Sequence, residues 1–415
     1  MAAGQGFKTF TTGEVLTAGD VNGYLMQGIN VFTNATARDA AITAPAEGQF
    51  AFTKDNNSLW YYDGAAWVAS GATGDIEGVT AGTGLTGGGT SGTVTLAFDQ
   101  ANYGGGQYAA GKNKVINGDF NIWQRGTTFT NPAGDSYSAD RYMIDYGTAA
   151  PTSNSITRQT FTPGAAPVAG YEGAYFFRST LTTVGSTSRL SISQKIENVQ
   201  TFAGQTVTLS FWAKADSART LAGFIQQNFG SGGSATVSTA ITSQSITTSW
   251  TRFSIQVSVP SISGKTIGTS SFLTIRLDQA VAAGSVLELW GLQLEAGSTA
   301  TPFQTATGNI QGELALCQRY YQALGGQSIG VFEAANSYDG LWSLLTAMRT
   351  TPSISYTGTI TGYGVASGNN PVTAVSLKSG NTVNQLVIAC TGPTGGAGTG
   401  TFTSGTGSIL ASAEL

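Results

Sequence analysis

Thr206-Val207-Thr208-Leu209-Ser210-Phe211-Trp212-Ala213-Lys214-Ala215 is the stretch that decides the fold. Val207, Leu209, Phe211 and Ala213 alternate with Thr208, Ser210, Trp212 and Lys214. A period of two belongs to a strand with one apolar face. Working outward, Leu190 and Ile192 alternate with serines, and Phe253, Ile255, Val257 and Val259 with Arg252, Ser254, Gln256 and Ser258. Leu273, Ile275 and Leu277 alternate in the same way with Phe272, Thr274 and Arg276. Half-buried strands of this kind, repeated between Gly- and Ser-rich turns, predict a β-sandwich or jelly-roll over residues 112–305.

The flanks are also mainly β. Residues 1–70 read as a small α+β module. Asp20–Ile29 carries Val21, Tyr24, Leu25 and Ile29 at helical spacing, with Thr17 placed to cap it. Thr36–Ile42 is a second short helix stopped by Pro45, and Gln49–Lys54 pairs with Leu59–Tyr62 in a hairpin.

Residues 71–111 are Gly-rich and too poor in large apolar side chains to build a core of their own. Two readings stand: a flexible linker, or a shaft in which three identical chains each supply a strand. Val79, Leu85, Val94 and Leu96 would then share one axis. Apolar residues punctuate the glycines regularly, which favours the shaft.

Over residues 306–327, Ile310, Leu314, Cys317, Tyr321 and Leu324 are spaced four, three, four and three, as in a coiled-coil seam. The same helix has the alternative of packing on the jelly-roll. Residues 328–415 return to short strands, punctuated by Tyr338, Trp342, Tyr356 and Tyr363.

Composition narrows the function. Charged residues are only 10% of the chain, against roughly 25% in an average soluble protein, while glycine reaches 57 residues. The net charge is −4 with lysine and arginine scattered, so there is no basic stripe for nucleic acid. No apolar run is long enough to span a bilayer, and Met1–Phe7 lacks the regions of a secretion signal. Folding in a cytoplasm is the expectation. Cys317 and Cys390 then read as small core residues rather than a disulfide.

The chain has no histidine. Gly326-Gln327-Ser328-Ile329-Gly330 fits a nucleophile elbow, but the base that such a serine needs is missing. Gly82-Thr83-Gly84-Leu85-Thr86-Gly87 fits a dinucleotide fingerprint without the helix that should follow. Asp135, Asp140 and Asp145 are the densest acidic group for carboxylate chemistry. Their plainer reading is a local Asp140-Arg141 ion pair and turn residues. Asp119 and Glu295 are too isolated to make a metal site, so no enzyme, cofactor or metal is expected.

Sugar binding asks for less: an aromatic platform with amides and charges around it. Alternation puts Trp212 on the polar face of its strand. Lys214, Arg252, Gln256 and Arg276 share that face if the strands lie side by side. The competing reading packs Trp212 under a loop or against a neighbouring subunit.

Several segments together resemble a known family. Asn117-Gly118-Asp119-Phe120, Trp123-Gln124-Arg125-Gly126 and Ser138-Ala139-Asp140-Arg141-Tyr142 are similar to the opening of the carbohydrate-binding-module-like jelly-roll of bacteriophage tail proteins. Leu209–Ala215 resembles its central strand, and Leu289–Gly297 with Ala300-Thr301-Pro302-Phe303 its closing strand. Leu316–Tyr321 is similar to the helix that follows. Thr17–Asn22 through Tyr62–Trp67 resembles modules that begin phage fibres.

The resemblance implies a virion tail-fibre location, a homotrimer, and an amino-terminal module docked on other tail or baseplate proteins. It also implies adhesion to host surface polysaccharide. It carries over no binding site. A purely structural tail protein and a polysaccharide-degrading tailspike are the alternatives.

Overall fold

A computed structural model describes residues 10–22, 28–70, 78–82, 84–99, 111–168, 171–187, 189–325, 327–334, 337–364, 367–378, 381–391, 398–404 and 407–415. The chain is mainly β and forms two compact units, Met1–Asp99 and Gln100–Leu415.

In the first unit, Thr17 caps the short helix Ala18–Asp20. Its hydroxyl accepts from Asp20 N while Asp20 accepts from Thr17 N, a reciprocal capping box. The expected continuation to Ile29 is corrected at its end, since Ile29 directly precedes the strand Asn30–Phe32. Tyr24 and Leu25 lie outside the described residues. The second helix is Ala35–Ala41, capped by Asn34. Strands Asn30–Phe32, Phe50–Thr53, Ser58–Tyr62 and Trp67–Ala69 form one sheet in that order, with only the first pair parallel. Arg38 is 5% exposed, its guanidinium 4.9 Å from the Trp60 ring centroid and 4.7 Å from that of Trp67.

The Gly-rich stretch forms a three-stranded antiparallel sheet from Val79–Thr80, Leu85–Gly89 and Leu96–Phe98. This corrects the expectation of one strand per chain, because a single chain pairs with itself. Gly87 makes the pairing possible: at φ +103°, a Cβ there would stand 2.2 Å from the Thr95 carbonyl oxygen. Val79 and Val94 are half-buried, while Leu85 and Leu96 are 43% and 44% exposed. Thr83, in the fingerprint-like run, lies outside the described residues.

The second unit holds the sandwich. Its six-stranded sheet runs Thr251–Ser258, Thr206–Ala215, Ser285–Ala296, Tyr175–Thr183, Ser153–Thr160 and Thr128–Thr130. The seven-stranded sheet runs Val237–Ala240, Arg219–Asn228, Phe272–Gln279, Leu190–Glu197, Met143–Asp145 and Ser136–Tyr137, with Gln244–Ile246 also paired to Arg219–Asn228. Both sheets feed one core, in which Leu209, Phe211, Leu289 and Leu294 from the first meet Leu190, Ile192, Leu273 and Ile275 from the second. Removing these side chains from water is the main stabilising term.

The carboxy-terminal helix is shorter than its spacing predicts. It spans Ile310–Gln318, after which Tyr321–Leu324 is a strand paired with Ser408–Ser412. Buried Gln322 fixes the change of course: its amide donates to Gln318 O and Thr346 O and accepts from Leu345 N. The coiled-coil seam is therefore corrected. Cys317, Tyr321 and Leu324 are buried within their own chain, and Leu314 is left at the surface. Two heptads cannot outcompete a sheet that satisfies the same backbone.

The last domain adds a seven-stranded antiparallel sheet, from Ser367–Pro371 at one edge to Ala374–Leu377 at the other. Its core gathers Tyr338, Trp342, Leu386, Ile388, Cys390 and Ile409, with Tyr356 half-buried beside them. The Tyr363 side chain, Gly326 and the side chains of residues 327–329 fall outside the described parts. Both cysteines are free and buried. Among the described residues, no helix is long and apolar enough to cross a membrane.

Candidate functional site

The outer face of the six-stranded sheet is set by a bulge at Gly291. Leu287 and Leu289 point into the core, and so do Leu292 and Leu294, a change of phase that needs one extra residue. Phe211 alone faces two residues of the Ser285–Ala296 strand at this point. Gly291 has φ +66°, and a Cβ there would stand 2.7 Å from Trp212 Cε3. The bulge lets Trp212 and Trp290 meet on the outer face with ring centroids 5.3 Å apart.

Those rings are covered. Trp212 and Trp290 form a second buried cluster with Phe161, Phe176 and Phe303, flanked by Tyr171 and Trp250. Trp212 is 7% exposed, and the Arg252 guanidinium lies 4.7 Å from its ring centroid. Alternation placed Trp212 on the correct face, but the ring presents no open surface to a sugar. It packs under a loop, which was the competing reading.

Glu295, buried, holds the covering segment in place by accepting from Thr301 N at 2.9 Å and Thr301 Oγ1 at 2.6 Å. Arg252 adds a bond to Thr301 O. Burial lowers the pKa values of Arg252 and of Lys112, which stands 4.0 Å from Glu295. These groups are a structural strap.

The other expected site residues separate. Gln256 is exposed and donates to Ser298 O at 2.6 Å, on the same sheet but toward its other end. Arg276 belongs to the opposite sheet, where it pairs with Asp278 and lies 3.7 Å from the Phe224 ring centroid. The face expected to hold all five residues therefore lacks Arg276.

Lys214 keeps an open position. Glu288 sits opposite Lys214 on one side and Arg178 on the other in the strand register. Lys214 Nζ is 2.9 Å from Glu288 Oε2, and Arg178 Nε donates to Glu288 Oε1 at 2.7 Å. Arg178 also donates to Gln159 Oε1 at 3.1 Å. The Lys214 and Arg178 side chains are 33% and 35% exposed, whereas that of Glu288 is 4% exposed. They line a groove of about 270 Å³ with Asp216 at one end. Half-exposed Trp250 is not part of the lining but has its ring centroid 5.7 Å from Lys214 Nζ, and 5.5 and 5.4 Å from those of Phe161 and Phe176. Sequence alternation offers Arg178 and Glu288 as outward residues, but nothing local says that their strands lie side by side.

The acidic group does not converge. Asp140 is buried and accepts from Gln124 N at 2.8 Å, with Arg125 NH1 at 3.9 Å. Burial pushes its carboxyl up to about 6. Asp145 is partly buried, which works to raise its pKa, yet bonds from Gly147 N and Arg189 hold it low. Asp135 is an exposed residue at φ +60°. The expected Asp140-Arg141 pair is corrected, because Arg141 reaches Glu414 instead. Asp119 accepts from Tyr171 Oη at 3.1 Å and Asn121 Nδ2 at 2.6 Å, and burial raises its pKa. Among the described residues, no group of three or more Cys, Asp or Glu side chains is placed to hold a metal ion.

No family model matches the chain, and no curated protein matches its sequence. Some solved structures are similar to part of the chain. A candidate sugar binding protein from Bacteroides thetaiotaomicron has 14% identity over 45% of this chain and 100% of its own, with a TM-score of 0.30. The enzymatically active domain of tailspike protein 4 from bacteriophage CBA120 has 14% identity over 45% of this chain and 22% of its own, at 0.28. The xylan-binding domain of Xyn10C from Paenibacillus barcinonensis has 14% identity over 42% and 94%, at 0.26. Each is a partial likeness over less than half of the chain.

Proposed function

We propose that this protein is a tail-fibre structural protein and adhesin that attaches a bacteriophage particle to host surface polysaccharide. The observation that carries the adhesin part is the Lys214–Glu288–Arg178 groove. It is an open set of charged donors and acceptors with the half-exposed Trp250 ring near Lys214, a ring that also packs on the Trp212 and Trp290 cluster. Sugars are recognised by such combinations of a ring face and a few fixed polar groups. The segments quoted from Asn117 to Phe303 support the tail-protein part by their resemblance.

In this reading the chain acts as a homotrimer with its amino-terminal module on other tail proteins, and three weak sites gain avidity together. The exposed Leu85, Leu96 and Phe98 of the Gly-rich sheet support self-association. The protein binds its glycan without cleaving it. Release of reducing ends from host polysaccharide would overturn that part.

The test is binding of fluorescently labelled full-length protein to intact host cells, before and after their surface polysaccharide is stripped. Binding that disappears with the polysaccharide is expected. Absence of binding by the assembled oligomer favours a purely structural role, a reading that the covered Trp212 cluster supports.

A further inference from the structure

We infer that the groove selects an acidic polysaccharide, one whose repeating unit carries a carboxylate or another anionic substituent. The inference rests on the adhesin reading above and goes beyond it by naming the ligand's charge. Arg178 and Lys214 both turn toward the single carboxylate of Glu288. The other acid of the groove, Asp216, is already engaged: its Oδ1 accepts from Arg219 Nε at 2.7 Å and Val286 N at 2.8 Å. Its Oδ2 accepts from Arg219 NH2 at 2.6 Å. With Asp216 neutralised by Arg219, which is not part of the groove's lining, the two cations of the groove share the one carboxylate of Glu288, leaving one positive charge unneutralised at a concave site on a chain of net charge −4.

The donor geometry agrees with the charge. Arg178 spends Nε and NH2 on Glu288 and NH1 on Gln159, yet a guanidinium carries five N–H groups. Lys214 Nζ has three donors and pairs with one carboxylate. Spare donors from both side chains, each about one third exposed, flank the same groove. An incoming carboxylate would receive charge-assisted hydrogen bonds from both. A neutral sugar would leave the excess charge to water. Glu288 acts in this arrangement as an internal counterion that offsets the repulsion between the two cations and competes with the ligand's own anion.

The probe is an array of bacterial surface polysaccharides in which each uronic-acid glycan is printed beside its carboxyl-reduced form, read with labelled full-length protein. Retention on acidic glycans, at least about tenfold weaker on the reduced partners and weakened by rising salt, is expected. Arg178→Gln and Lys214→Gln should each lose binding. Glu288→Gln should strengthen it, because it removes the competing carboxylate while keeping the shape. Thermal unfolding of each variant checks its fold, and the salt titration of the unaltered protein needs no variant. Equal binding to reduced and unreduced glycans overturns the charge inference and leaves the adhesin reading standing. Loss of binding in a folded Glu288→Gln protein also overturns it, by making Glu288 a direct acceptor of sugar hydroxyls. No binding to any glycan overturns the adhesin reading itself.

Discussion

The guanidinium of Arg141 lies 3.3 Å from the centroid of the Tyr320 ring, joining the turn between Ser136–Tyr137 and Met143–Asp145 to the chain that leaves the sandwich. Arg125 repeats the arrangement 3.6 Å from the Tyr321 centroid, and the two arginines divide the oxygens of Glu414 between them. Arg349 donates to Ala413 O and Glu414 O, and Lys195 to Leu415 O. This latch fastens the last domain to the sandwich. It also gives a physical reason for Trp123–Gly126, Ser138–Tyr142 and Leu316–Tyr321 to occur together in one chain, as three parts of a single joint.

Arg141→Ala is expected to destabilise the protein by about 1–3 kcal/mol, since it takes one charged partner from Glu414 and the cation from the Tyr320 ring while Arg125 stays paired with Glu414. Urea unfolding followed by fluorescence measures it. A loss below about 1 kcal/mol, the level of an exposed ion pair, would show that the latch does not hold the domains.

Gly291→Ala should cost about 2–4 kcal/mol, combining a left-handed backbone with overpacking against Trp212. Because the new methyl meets the indole, tryptophan emission should change along with the unfolding midpoint. An unaltered spectrum would argue against the bulge geometry.

Trp212→Ala is expected to lose about 3–5 kcal/mol of stability as a large buried ring is removed. Per folded molecule, binding to host cells should stay unchanged. Reduced binding by protein that remains fully folded would return Trp212 to the ligand site.

Asp140 gives a pH test. Its carboxyl titrates near 6 in the fold and at about 3.8 when free, so the folded state prefers the protonated form. Its contribution is fully present below pH 3.8 and is lost as pH rises toward 6, at no more than about 1.4 kcal/mol per pH unit. Asp216, Asp145 and Glu197, whose folded pKa values are lowered, gain stability as pH rises. The difference between the unaltered protein and Asp140→Asn therefore isolates the effect. The variant should be relatively more stable at pH 7 than at pH 4, and parallel curves would refute the assignment.

What the sequence determined by itself was everything local alternation can carry. The strands around Leu209, Ile255 and Ile275, the hairpin after Gln49, the Thr17 cap and the outward direction of Trp212 all follow from period two and capping chemistry. Contacts between distant segments were decided by the tertiary structure. A side chain on the polar face of a strand is open or covered according to loops far along the chain, so Trp212 lies beneath Phe303 and Arg252 while Lys214 stays in a groove. The helix spacing from Ile310 to Leu324 gave way at Gln318 because a strand near the chain's last residues offered its backbone better partners. Arg178, Lys214 and Glu288 became one site only when three strands lay side by side, a register set by the bulge at Gly291 and the shared core beneath it.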